Sequence, residues 1–89
     1  MDAPIHYVGH DGSQTWKVDG LYHREDGPAV IYASGTMIWY KRGRLHCESG
    51  PAWCWHTGEC EWWLHGISYT EVEWRWLVRL MKPSCKVDS

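Results

Sequence analysis

Nine basic and eleven acidic side chains in 89 residues leave a formal net charge of −2 and an isoelectric point near 6.3, so there is no overall basic footprint for nucleic acid. A chain this short makes one domain, residues 1–89, whose small core needs help from aromatic mass, cross-links or self-association. No run reaches membrane-spanning length, and MDAPIHYVGH lacks the basic start and apolar run of a signal peptide, so the expectation is a cytoplasmic chain with no membrane partner and four reduced cysteines.

In chain order, the first signal is an X-Gly dipeptide that keeps returning. Asp11-Gly12, Asp19-Gly20, Ser34-Gly35, Arg42-Gly43, Thr57-Gly58 and His65-Gly66 follow one another at intervals of 8, 15, 8, 15 and 8 residues, a period of 23. Each lies between short aromatic or β-branched runs, the signature of a two-residue hairpin turn in which glycine supplies positive φ. Residues 21–43, LYHREDGPAVIYASGTMIWYKRG, align without a gap on residues 44–66, RLHCESGPAWCWHTGECEWWLHG, and residues 5–20 hold a partial copy. The fold class expected is mainly β: an antiparallel meander of hairpin repeats with about six strands, followed by one C-terminal helix.

Two-residue turns set a register. Val30 is expected opposite Trp39 and Trp39 opposite His46, with Tyr7, Trp16 and His23 before them and Trp53, Trp62 and Tyr69 after. One face then gathers these rows with Tyr32, Met37, Trp55 and Cys60 and reads as the core. The other carries Lys17, Tyr22, Ile31, Ile38, Tyr40, Leu45, Glu61 and Trp63 and reads as wetter. Eight tryptophans and five tyrosines without one phenylalanine suit half-buried faces and interfaces. Burying one indole removes roughly 200 Å² from water, about 5 kcal/mol gross.

The last element, 70–82, opens on Thr70 as N-cap with Glu73 completing a capping box, and Pro83 stops it. Glu71, Arg75 and Arg79 make one polar stripe, while Trp74, Trp76, Leu77, Val78, Leu80 and Met81 spread over more than half the circumference. Six strands at about 4.8 Å span roughly 29 Å, and a helix of about eleven residues only roughly 16 Å. The helix cannot cover the aromatic face alone. Another protein surface is expected there, with a second copy of the chain, a homodimer, the simplest one.

WYKRGRLHCESGPAW and WKVDGLYHREDGPAV resemble MORN-type repeats, and residues 21–43 are similar to the HREDGPA variant found in small proteins of tailed phages and large DNA viruses. The likeness covers about residues 11–70, and the helix resembles that variant's ending. Cys47 and Ser49 depart from the Arg and Asp the variant carries. The resemblance implies an elongated hairpin array acting as an interaction scaffold. With it, the function expected is a non-catalytic module that binds a host protein in the host cytoplasm, a phage-encoded inhibitor of a host defence protein acting by steric occlusion.

Several residues invite chemistry. His23 and Glu25 recur as His46 and Glu48, each pair followed by Gly27-Pro28 or Gly50-Pro51. Catalysis needs one such pair and architecture needs many, so the repetition assigns them to structure, and no enzyme is expected. Cys47 adjoins His46, but strand neighbours face opposite ways. Cys47, Cys54, His56 and Cys60 crowd into fourteen residues as a zinc alternative. Their spacings match no zinc knuckle, and the register puts Cys60 on the other face from the rest, so no metal or cofactor is expected. Lys41, Arg42 and Arg44 beside Tyr22, Tyr40 and Trp63 form the alternative of a nucleotide or nucleic-acid binding sheet, against which the net charge stands. The partner-binding residues expected are Tyr22, Tyr40, Trp63, Trp74, Trp76, Arg42 and Arg44, since hot spots favour Trp, Tyr and Arg.

Overall fold

The computed structural model describes residues 3–81. Ten short strands run β1 (Ile5–Val8), β2 (Gln14–Val18), β3 (Leu21–Tyr22), β4 (Val30–Ile31), β5 (Met37–Ile38), β6 (Tyr40–Lys41), β7 (Arg44–Leu45), β8 (Trp53–Cys54), β9 (Cys60–Leu64) and β10 (Ile67–Tyr69), and helix α1 (Glu71–Met81) closes the chain. The main sheet has the order β1-β2-β4-β5-β8-β9-β10, with β3 pairing β2 and β6 pairing β7 beside it. All pairings are antiparallel. The expected meander is therefore present, and it forms a slab of 47 × 35 × 22 Å. About six strands become ten because the His-Arg-Glu-Asp-Gly-Pro segment and its repeat interrupt the arms between turns, and because Trp39 separates β5 from β6.

The six X-Gly dipeptides make two kinds of turn. At Asp19-Gly20, Arg42-Gly43 and His65-Gly66 both residues have positive φ, 52–53° and 80–82°, the two-residue type I′ geometry. Here the expected register is present: Lys41 pairs Arg44 and Tyr40 pairs Leu45, and His46 N–H donates to Trp39 O at 3.1 Å. The other three loops are one residue longer. Gly35 N–H donates to Tyr32 O while Tyr32 N–H donates to Thr36 O, both at 2.9 Å, a turn followed by a glycine bulge. The same bonds recur at Gly9–Ser13 and Trp55–Glu59.

That extra residue shifts one side of every repeat. Val30 pairs Ile38, not Trp39, and Ile31 pairs Met37; Trp16 pairs His6, not Tyr7; Trp53 pairs Glu61, not Trp62. A side-chain period of two turns a one-residue slip into a change of face. Val30 and Trp53 move to the face of Ile38, while Ile31 and Cys54 join Met37 and Trp39. Tyr32 pairs Thr36 and Trp55 pairs Glu59, outside the row of Met37 and Cys60. Val30 and Ile38 are buried on their shared face, and Ala29, Ala52 and Leu64 are buried as well, whereas Trp16, Trp39 and Trp62 are only half-buried. The core is thus not the tryptophan row alone. Ala29 N–H also donates to Ile38 O at 2.9 Å, as Ala52 N–H does to Glu61 O, so each Gly-Pro-Ala ends in a bulge that re-aims the chain.

The same slip decides the cysteines. Cys54 and Cys60 are direct cross-strand partners and form a disulfide with Cα atoms 4.1 Å apart. This corrects both the expectation of reduced thiols and the placement of Cys60 across the sheet. Ile31 and Met37 stand at the matching pair one repeat earlier. At the helix start, Thr70 N–H donates to Glu73 Oε1 at 3.0 Å and Glu73 N–H to Thr70 Oγ1 at 3.2 Å, the expected capping box. α1 packs chiefly on β9 and β10, over the last repeat. Residue 82, the expected end of the helix, and Cys85 lie outside the described residues.

Candidate functional site

Each His–Glu pair clasps the next turn. The His23 ring accepts at Nδ1 from the backbone N–H of Arg42 at 2.9 Å and meets Glu25 Oε2 through Nε2 at 2.8 Å. His46 does the same 23 residues on, with His65 N–H at 2.9 Å and Glu48 Oε2 at 2.9 Å. An Nδ1 that accepts from an amide carries no proton, so the Nε2–H donates to the carboxylate. Glu25 also meets Lys41 Nζ at 3.3 Å. Desolvation raises the Glu25 carboxyl, but the hydrogen bonds from His23 and Lys41 together outweigh it and hold the group below its ordinary value. Both imidazoles are thus spent on holding positive-φ turns.

The repeat tryptophans differ in what covers them. Trp16 lies between the His6 ring, stacked at 4.3 Å, and the Arg24 guanidinium at 3.8 Å. Trp62 meets the Trp74 ring at 4.6 Å, and Trp74 Nε1–H donates to Cys47 O at 2.9 Å. This contact fixes which face the helix covers, and it corrects one expected partner residue: Trp74 is only 8 % exposed, an anchor of the helix and unavailable for docking. Among the described residues no ring or cation covers Trp39.

Of the other expected partner residues, Tyr22 and Tyr40 meet at 5.1 Å, with Lys17 Nζ 5.2 Å from the Tyr22 ring. Burial, reinforced by Tyr32 and Tyr22, pushes the Tyr40 phenol above its ordinary value. Trp63 occupies the Tyr40 position one repeat on, with its Nε1–H held by Glu61 at 2.9 Å. Arg42 and Arg44 are exposed and line a pocket of about 540 Å³ with Lys41 and His65.

Trp76 is 62 % exposed, and Val72 and Leu80, four residues to either side, are 66 % and 73 % exposed. Sequence reasoning named Trp76 as a partner residue and counted Leu80 in the helix's apolar arc but left Val72 out, although the spacing 72, 76, 80 marks one helix face. The stripe points away from the sheet, and Arg79 approaches Trp76 at 5.9 Å.

The zinc alternative is not assembled. Cys54 and Cys60 are bonded to each other, Cys47 is a buried free thiol, and His56 serves Thr36, whose hydroxyl lies 3.3 Å from its Nδ1. No group of three or more metal-binding side chains converges among the described residues. No described helix is long and apolar enough to cross a membrane.

Comparison with known proteins leaves this geometry to speak for itself. No protein-family model matches the chain. No curated protein and no solved structure matches it either.

Proposed function

We propose that the chain is a non-catalytic protein-binding module that acts by covering part of its partner. The observation that carries this reading is the outer stripe of α1: Val72, Trp76 and Leu80, each more than half exposed. Three large apolar side chains aligned on a rigid helix, edged by Arg75 and Arg79, have the composition of an interface centre. The helix is held by a complete capping box and by Trp74, so the stripe is presented without further ordering cost. Two observations weigh against catalysis in this reading: the His–Glu pairs are engaged with backbone, and the cysteine cluster is divided between a disulfide and a buried thiol. With the resemblance to repeats of small phage proteins, the proposed partner is a host protein, inhibited by occlusion.

The test is affinity capture with wild type beside Trp76→Ala and Leu80→Glu, all three checked for native near-ultraviolet circular dichroism. A partner held by wild type and lost by both variants supports the reading; equal retention by all three removes the stripe from it. Light scattering of the same proteins reports whether the stripe faces a second copy or another protein.

A further inference from the structure

The first strand of the array is open on a side where the later ones are paired. The period of 23 places Tyr7 and Val8 of β1 at Val30-Ile31 of β4 and at Trp53-Cys54 of β8. β4 lies between β2 and β5, and β8 between β5 and β9, whereas β1 has only β2 beside it. All four residues of β1 are exposed. Tyr7 is 51 % exposed and Val8 66 %, against 3 % for Val30. α1 packs at the other end of the sheet, on β9 and β10.

The backbone states what fits there. Gly9 N–H donates to Ser13 O at 2.7 Å, so Gly9 faces β2. Alternation along an antiparallel strand turns Tyr7 the same way, and turns the N–H and C=O groups of His6 and Val8 outward. In the later copies a strand fills the carbonyls that match His6. Ala29 O accepts from Trp16 N–H at 2.8 Å, and Ala52 O from Trp39 N–H at 2.6 Å. Among the described residues no strand serves His6 and Val8. Such edges are ordinarily guarded by charge, a bulge or proline. β1 carries no lysine, arginine, acidic residue or proline, and its register with β2 is regular. The His6 ring, stacked on Trp16 and bonded to Gln14 Oε1 at 2.9 Å, holds the strand in place.

We propose that β1 pairs antiparallel with β1 of a second copy of the chain, joining two sheets edge to edge about a two-fold axis. The strand complements itself in one register. With Tyr7 opposite Tyr7 on the axis, His6 of each copy faces Val8 of the other, and every outward N–H and C=O of the two residues is paired. Centring the pair on His6 instead would set Val8 against Pro4, which has no N–H, and leave Val8 O without a donor. No like charges meet across the axis, and the two tyrosines stack at the close, non-hydrogen-bonded position. So short a contact is weak, with a dissociation constant of about 10–100 µM. It does not rest on the outer stripe of α1, and Trp76→Ala should leave it unchanged.

Amide exchange and sedimentation equilibrium between about 10 µM and about 1 mM are the test. The expected result is a dimer in which exchange at His6 and Val8 slows several-fold as concentration rises. Val8→Pro removes an outward N–H without touching the ladder to β2 and should abolish dimerisation. Should that variant fail to fold, Tyr7→Lys sets two like charges on the axis and should weaken the dimer at least tenfold. Under mild oxidation Tyr7→Cys should cross-link the dimer and Ile5→Cys, off the axis, should not. Unprotected His6 and Val8 amides at all concentrations overturn the proposal, as does a dimer of unchanged affinity in Val8→Pro or in Tyr7→Lys. Protection independent of concentration gives the edge to a segment of the same chain, and growth past two copies gives it to head-to-tail pairing; either result also overturns it. A dimer lost in Trp76→Ala and kept in Val8→Pro moves the contact to the helix.

Discussion

Replacing His46 by alanine tests the clasp on which the array depends. The His46 side chain is 5 % exposed, against 13 % for His23. Its Nδ1 is the acceptor for the His65 amide in the last type I′ turn. Removing the ring leaves that amide without its partner, a loss of about 1–3 kcal/mol, and opens a void beside the His65 ring that adds to it. The total expected is about 2–4 kcal/mol, or a fall in Tm of roughly 10–25 °C for a domain of this size. His23→Ala, at a more open turn, should cost less, about 1–2 kcal/mol. His46→Asn places an amide oxygen near the lost Nδ1 and should recover part of the loss. Urea unfolding followed by tryptophan fluorescence measures all three. A His46→Ala protein within 0.5 kcal/mol of wild type, or a larger cost at His23, would refute the assignment of these histidines to turn support.

Arg42 and His65 occupy positive-φ turn positions at 53° each, where asparagine is the better residue. Arg42→Asn and His65→Asn should therefore each stabilise by about 0.5–1 kcal/mol, with Asp19→Asn near neutral, read from the same urea midpoints. Glu25 is held below its ordinary value in the folded state, so it contributes stability above its unfolded pKa that is lost as pH falls through the folded one. The stability gap between wild type and Glu25→Gln should be open at neutral pH and close on acidification; a gap that widens in acid would reverse the sign. Cys54→Ser with Cys60→Ser should remain folded, because Ile31 and Met37 hold the matching pair without a bridge. Its cost should be at most about 2 kcal/mol, since the loop closed is short, and a mass 2 Da higher after reduction of wild type reports the bond itself.

The period of 23 and the glycines that mark it are enough to specify a hairpin array, because positive φ is a local demand that glycine meets and most residues do not. The capping box is local too, and Thr70 and Glu73 form it as read. Whether an X-Gly dipeptide closes a two-residue turn or sits in a three-residue loop is another matter. Asp19-Gly20 and Asp11-Gly12 look alike in sequence, yet only the first has positive φ at both residues. In the second, Asp11 accepts from both the Ser13 hydroxyl and the Ser13 amide, which holds its carboxyl below the usual range and keeps the longer loop. The same extra residue in the loops at Ser34-Gly35 and Thr57-Gly58 moved Val30 and Trp53 across the sheet and brought Cys54 onto Cys60.

The sequence alone determined the repeat, its antiparallel pairing and the closing helix, since each follows from contacts between residues close along the chain. Tertiary structure decided which tryptophans are covered: Trp74 turned inward onto Trp62 and Trp76 outward, two positions apart on one helix. It also set the Arg24 guanidinium over the Trp16 ring, whereas among the described residues no ring or cation stacks on the half-buried Trp39.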